Sequence, residues 1–132
     1  MELLKSRKAG ALLHWASAVL LLGMLAATDD GMRRGAAYLF AVAAALWVAR
    51  SVLAGPMARP GAALTGAAAA AHLAIHRGLL TLVAVTAVAG LVATPALHGR
   101  LIYATLALAA VHLCFNLWRE ASGEKVLRRM WP

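Results

Sequence analysis

Residues 98–118 read HGRLIYATLALAAVHLCFNLW. This stretch carries no carboxylate, and its one formal cation, Arg100, lies near its start. A helix needs about 20 mostly apolar residues to cross about 30 Å of hydrocarbon, and this run is long enough. The apolar residues show no alternation of period two, so a strand is a poor reading. His98 and His112 stand 14 residues apart. At about 100° per residue they fall about 40° short of four full turns, on one face of a helix. The rise between them is about 21 Å, so one ring lies towards each end of the span.

Three further stretches qualify as spans: residues 9–28, residues 35–53 with Arg50 near the end, and residues 66–94 with His72, His76 and Arg77 near the start. The quoted run is read as a fourth helix over 99–118. Between the four lie a polar turn from Asp29 to Arg34, a Gly/Pro loop over 55–61 with Pro56 and Pro60, and a short turn over 95–99. Glycine and proline fit these turns better than helix interiors. Short connections make successive helices antiparallel. The expected fold is therefore all-α, a membrane four-helix up-down bundle forming a single domain over residues 1–132.

Composition supports this reading. Of 132 residues, 63% are hydrophobic and 14% charged, with a mean hydropathy of +0.77. Soluble domains are about 45–50% apolar and about 25% charged. A soluble globular fold, a disordered chain and a disulfide scaffold are thereby excluded. The single cysteine, Cys114, is expected in the core of the fourth helix. The net charge is +8. Ten basic residues (Lys5, Arg7, Lys8, Arg50, Arg59, Arg77, Arg119, Lys125, Arg128, Arg129) fall on one side of the four spans. Arg33, Arg34 and Arg100 fall on the other, offset by Asp29 and Asp30. The positive-inside rule then puts both termini in the cytoplasm. The basic residues are scattered over short segments, which argues against nucleic acid. The first 28 residues also fit a signal peptide in outline, but their apolar run is too long for a signal core and contains His14 and Trp15.

All five histidines (His14, His72, His76, His98, His112) sit within or at the ends of the apolar stretches. Ionisable groups inside a bilayer are costly and mark functional sites, although a polar side chain bonding a neighbouring helix is the plain alternative. His14 and His112 lie at matching depth from the same side of the membrane. Two imidazoles converging from different helices, with small residues leaving room, suit a six-coordinate b-type heme. Zinc would want further ligands, and the spans hold no carboxylate to supply them. His72 and His76 form an i, i+4 pair next to Arg77, and three readings compete. The pair sits at the membrane interface, or contacts heme propionates, or lines a quinone or proton path. No nucleophile–base constellation is visible, and Ser17 and Ser51 stand without a motif. An electron-transfer protein is thus favoured over a self-contained enzyme.

At this point the chain resembles the prokaryotic cytochrome b561 family, a branch of the group that includes the cytochrome b subunits of nickel–iron hydrogenases. The resemblance is carried by His14-Trp15 opening helix 1 and by Arg50 before the Pro56 loop. It continues with Ala71-His72-Leu73 through His76 and on to Gly90-Leu91-Val92, the two helix-4 histidines 14 apart, and the tail from Lys125 to Pro132. It implies a four-helix cytochrome of the bacterial inner membrane that exchanges electrons with quinone and holds two b hemes on ligands from helices 1, 2 and 4. His14 matches the helix-1 ligand, and His98 and His112 match the helix-4 pair. The matching helix-2 position falls near Ala36, and helix 2 has no histidine. Met32, one turn earlier, is the remaining donor of that region.

Three functions follow as expectations. The first is a membrane electron carrier with one heme on His14 and His112, with His76 and Arg77 near propionates or quinone. The second is a two-heme conduit, in which His98 takes a ligand from Met32 or another subunit. The third is a heme-free subunit anchoring or assembling a larger redox complex. The expected partners are membrane lipid, quinone or a redox protein, and a larger complex or a second copy of the chain.

Overall fold

The structure is a computed structural model, and it describes residues 6–54 and 64–126. Among these, all regular structure is helical: α1 (Arg7–Ala26), α2 (Asp30–Ala54), α3 (Gly66–Val92) and α4 (Pro95–Ala121). All four are long and apolar enough to cross a membrane. The Gly/Pro loop over 55–61, with Arg59, and the tail basics Arg128 and Arg129 lie outside the described residues, as does Lys5.

The helix boundaries differ from expectation where caps intervene. The polar run from Asp29 to Arg34 was expected as a turn, with helix 2 starting at residue 35. Instead α2 begins at Asp30, because the Asp29 carboxylate accepts from the Met32 amide at 2.8 Å. That bond satisfies an orphan donor of the first turn, and Asp30 there complements the positive end of the helix dipole. The turn expected over 95–99 is likewise the first turn of α4. Thr94 Oγ1 accepts from Leu97 N at 3.4 Å, and Pro95 opens the helix where its missing N–H costs nothing. At its other end α4 runs past the expected residue 118 to Ala121. There Gly123 takes φ +92°, and the amides of Gly123 and Glu124 bond back to the carbonyls of Glu120 and Arg119 at 3.0 and 3.1 Å. This is a Schellman turn, and it requires the left-handed conformation that glycine supplies. At the other boundaries, α1 runs Arg7–Ala26 against the expected 9–28, and α3 ends at Val92, two residues before the expected 94.

The helices form a ring in chain order. α1 packs on α2, α2 on α3 and α3 on α4, each extensively, whereas α1 and α4 barely touch. The bundle is therefore closed on three seams and loose on the fourth. Its outward faces are apolar, with Val19, Val42, Val52, Val88, Val92 and Leu113 exposed. Helices that are apolar outwards suit a lipid surround better than water. Cys114, expected in the core, is on this exposed face.

The interior divides along its length. Around Phe40 the core is apolar, built from Leu21 and Met24 of α1, Ala37, Phe40 and Ala44 of α2, Ala87 of α3 and Ile102 of α4. Thr86 of α3 and Thr105 of α4 are bonded hydroxyl to hydroxyl at 2.9 Å, and Thr105 also donates to the Leu101 carbonyl at 2.8 Å. Towards the other end the interior is polar: Ser17, Arg50, His72, His112, Asn116 and Arg119 are buried there.

Candidate functional site

The buried stripe of α4 organises the polar end. His98, Ile102, Thr105, His112, Asn116 and Arg119 face inward, spaced three, four or seven residues apart as one helical face demands. His112 is thereby aimed into the bundle, with only 7% of its surface exposed. Across the loose seam stands His14 of α1, half-buried, with its ring centroid 6.1 Å from that of His112. From α3, the His76 ring meets His112 edge-on at 4.6 Å, and His72 lies 4.2 Å from His76. Four imidazoles from three helices thus form one chain of contacts.

Hydrogen bonds orient these rings. His76 Nδ1 lies 2.8 Å from the His72 carbonyl oxygen. A carbonyl only accepts, so Nδ1 donates, and in the neutral ring Nε2 is left with the lone pair. Metal-binding histidines are oriented in the same way by an outer bond. The Asn116 amide nitrogen lies 3.0 Å from His112 Nε2. With the amide so placed, the contact requires a lone pair on Nε2. Arg119 Nη1 approaches His72 Nδ1 at 3.4 Å, and since guanidinium only donates, that nitrogen is the acceptor. Arg119 is 4% exposed. Its charge is balanced by Glu124, whose Oε2 accepts from Arg119 Nε at 3.2 Å and from Nη2. The Schellman turn at Gly123 brings that carboxylate back under the helix end. On the neighbouring helices, Trp47 Nε1 donates to Ser17 Oγ at 3.2 Å, tying α2 to α1 one turn beyond His14.

The structure places the residues singled out by sequence as follows. His14, His76 and His112 are brought together with His72. Arg77 is exposed on the outside of α3, and the guanidinium that reaches the imidazoles is that of Arg119. His98 is at the opposite end of the bundle, only 8% exposed, and its Nε2 is buried without a hydrogen-bond partner. Met32, the donor named for His98, is 62% exposed. The methionine lining the space beside His98 is Met24 of α1. Asn116 and Arg119 were missed in the sequence. Their spacing of four and seven residues from His112 is the signal that points to them.

The donor set fits heme. An imidazole nitrogen sits about 2 Å from a transition metal it ligates, so two rings sharing one ion stand with centroids about 6 Å apart. His14 and His112 meet that separation. They come from the two helices with the least contact between them, and the His76 ring stands against His112 there. Among the described residues, no group of three or more His, Cys, Asp or Glu side chains converges as a metal-ion site. The local chemistry is therefore that of paired imidazoles beside a buried guanidinium. No family model matches the chain, and no curated protein or solved structure matches it.

Proposed function

We propose that this chain is a multi-pass membrane cytochrome of b type, with one heme held between His14 and His112. The observation that carries the reading is the 6.1 Å separation of these two rings across the loose seam between α1 and α4. Heme bound there would supply one-electron redox chemistry. The chain's residues supply the rest. His14 and His112 offer imidazole nitrogens from opposite sides of the seam. Asn116 occupies the His112 Nε2 lone pair, so its amide would have to swing away for that nitrogen to ligate iron. At the same end Arg119 is already paired with Glu124 and the His76 Nδ1–H with the His72 carbonyl, so a carboxylate such as a propionate is left to Arg77. Arg77 adds a cation at the exposed rim. Electrons are exchanged with the quinone pool or a redox protein, in a bacterial inner membrane with both chain ends on the cytoplasmic side. The excess of basic residues at the histidine-rich end supports that orientation.

The test is a dithionite-reduced minus oxidised visible spectrum of detergent-purified protein, with heme quantified per polypeptide. The expected result is a b-type spectrum at about one heme per chain. His112→Ala and His14→Ala should lose it, and His98→Ala should keep it. Heme content unchanged in His112→Ala overturns the assignment.

A second reading is favoured by His76. Its ring stands edge-on against His112 at 4.6 Å. If it holds that position, the seam admits no flat group, and the chain is a heme-free membrane subunit of a larger redox complex. Colourless protein from cells well supplied with heme supports that outcome.

A further inference from the structure

The end of the bundle opposite the four imidazoles holds a cavity of about 580 Å³. Its wall includes Met24, Ala37, Gly90 and His98, and Arg33 and Arg34 stand at its edge with Asp30. Two features make it a built site. First, His98 is more than nine-tenths buried, and its Nε2 has no partner. A buried polar atom without a hydrogen bond is costly, and native folds rarely keep one without a use. The ring fits because residue 90 is glycine: a Cβ there would stand 3.0 Å from His98 Nε2 and 3.3 Å from Ala37 Cβ. Second, the charge at the edge is unbalanced. Arg33 is occupied by the Asp30 carboxylate and the Ala27 carbonyl, both at 3.2 Å. Among the described residues Arg34 bonds only a backbone carbonyl, that of Asp30, at 3.3 Å, so no carboxylate among them neutralises its charge. The N-termini of α2 and α4 open at the same end and add positive potential.

We infer that this cavity binds an amphiphile with a carboxylate or phosphate headgroup, the headgroup on Arg34 and the body against the His98 ring in the cavity wall. The volume has room for far more than a bare anion. A water molecule's share of liquid is about 30 Å³, and small-molecule sites run from about 300 to 1,000 Å³. Polar and apolar surface line it in similar measure, so a polar headgroup and an apolar body would each find a counterpart. The assignment is independent of the His14 and His112 pair.

Native mass spectrometry of delipidated protein in a non-ionic detergent tests it, with phosphatidylglycerol, oleate, phosphatidylcholine and inorganic phosphate as the probes. Phosphatidylglycerol or oleate should bind one per chain, at least tenfold tighter than phosphatidylcholine. Arg34→Gln, on the exposed surface, should weaken that binding about tenfold. His98→Leu should weaken it similarly, and His98→Gln, which keeps a hydrogen-bonding group, should restore most of it. Which of the two probes binds tighter identifies a phosphate or a carboxylate headgroup. Phosphatidylcholine binding as tightly as phosphatidylglycerol, or binding unmoved by both Arg34→Gln and His98→Leu, overturns the proposal. Inorganic phosphate binding as tightly as the amphiphiles overturns the apolar part of it. A second heme per chain that is lost in His98→Leu would show that the cavity belongs to a different ligand and overturn it as well.

Discussion

Around Phe40 the four helices meet through Leu21, Met24, Ala87 and Ile102; around His112 they meet through imidazoles, an amide and a guanidinium. Both ends belong to the same four helices, with the same apolar exterior. The difference lies in what each interior needs. Around Phe40 the chain uses close-fitting apolar side chains, with the cavity at His98 beyond them. In a lipid surround such packing acts through dispersion and fit rather than expulsion of water. At the other end the interior is filled by groups that are costly to bury, each held by a partner. That cost is accepted where a polar interior is needed for chemistry.

Substitutions can separate the two ends. The largest expected effect is that of His112→Ala, which should reduce bound heme from about one per chain to none and leave far-ultraviolet circular dichroism unchanged. Phe40→Ala should do the reverse. It removes a side chain only 1% exposed and should cost about 3 kcal/mol of stability, read as a lower midpoint of thermal unfolding in detergent, with the heme spectrum of the folded fraction intact. Arg119→Leu comes next. It removes the guanidinium from Glu124 and the donor from His72, for a loss of about 2 kcal/mol. A double-mutant cycle with Glu124→Gln should show coupling between the two, and additive losses would mean that the pair contributes nothing. Thr86→Val is the smallest. The Thr105 hydroxyl still donates to Leu101, so what goes is the Thr86 hydroxyl's contact with Thr105 and the Leu101 carbonyl, about 0.6 kcal/mol. A loss several times larger would show that the apolar end depends on its hydroxyl pair as much as on Phe40.

How far each end was legible in the sequence differs for the same physical reason. The four helices announce themselves by hydropathy and by Gly and Pro at their junctions, because a membrane-length run is long and redundant. Their exact ends do not, because Asp29 and Thr94 decide them through single side chain to backbone bonds. A cluster of charges such as Asp29 to Arg34 reads as a turn until the cap is seen. The matching depth of His14 and His112 is legible from antiparallel connections and residue counting alone. The sequence offers Arg77, next to His76, as a cation for propionates or quinone, whereas the guanidinium that contacts an imidazole is that of Arg119. Arg119 holds that place, because a rotation of about 100° per residue turns Arg77 outward, whereas Arg119 shares the face of His112. The contact between His76 and His112 depends on how α3 and α4 are rotated against each other, which the separate sequences of the two helices do not encode locally.

The loose seam has a consequence for the order of events in making the protein. Of the four helices, His14 lies in the first to leave the ribosome and His112 in the last, 98 residues later. The three extensive seams can form one after another as each hairpin is completed, but the fourth has to wait for α4. Until then His14 faces an open groove. A flat guest can therefore be loaded from the side before the ring shuts, and chains halted after α3 would present a half-built receptacle with one imidazole and no opposite wall.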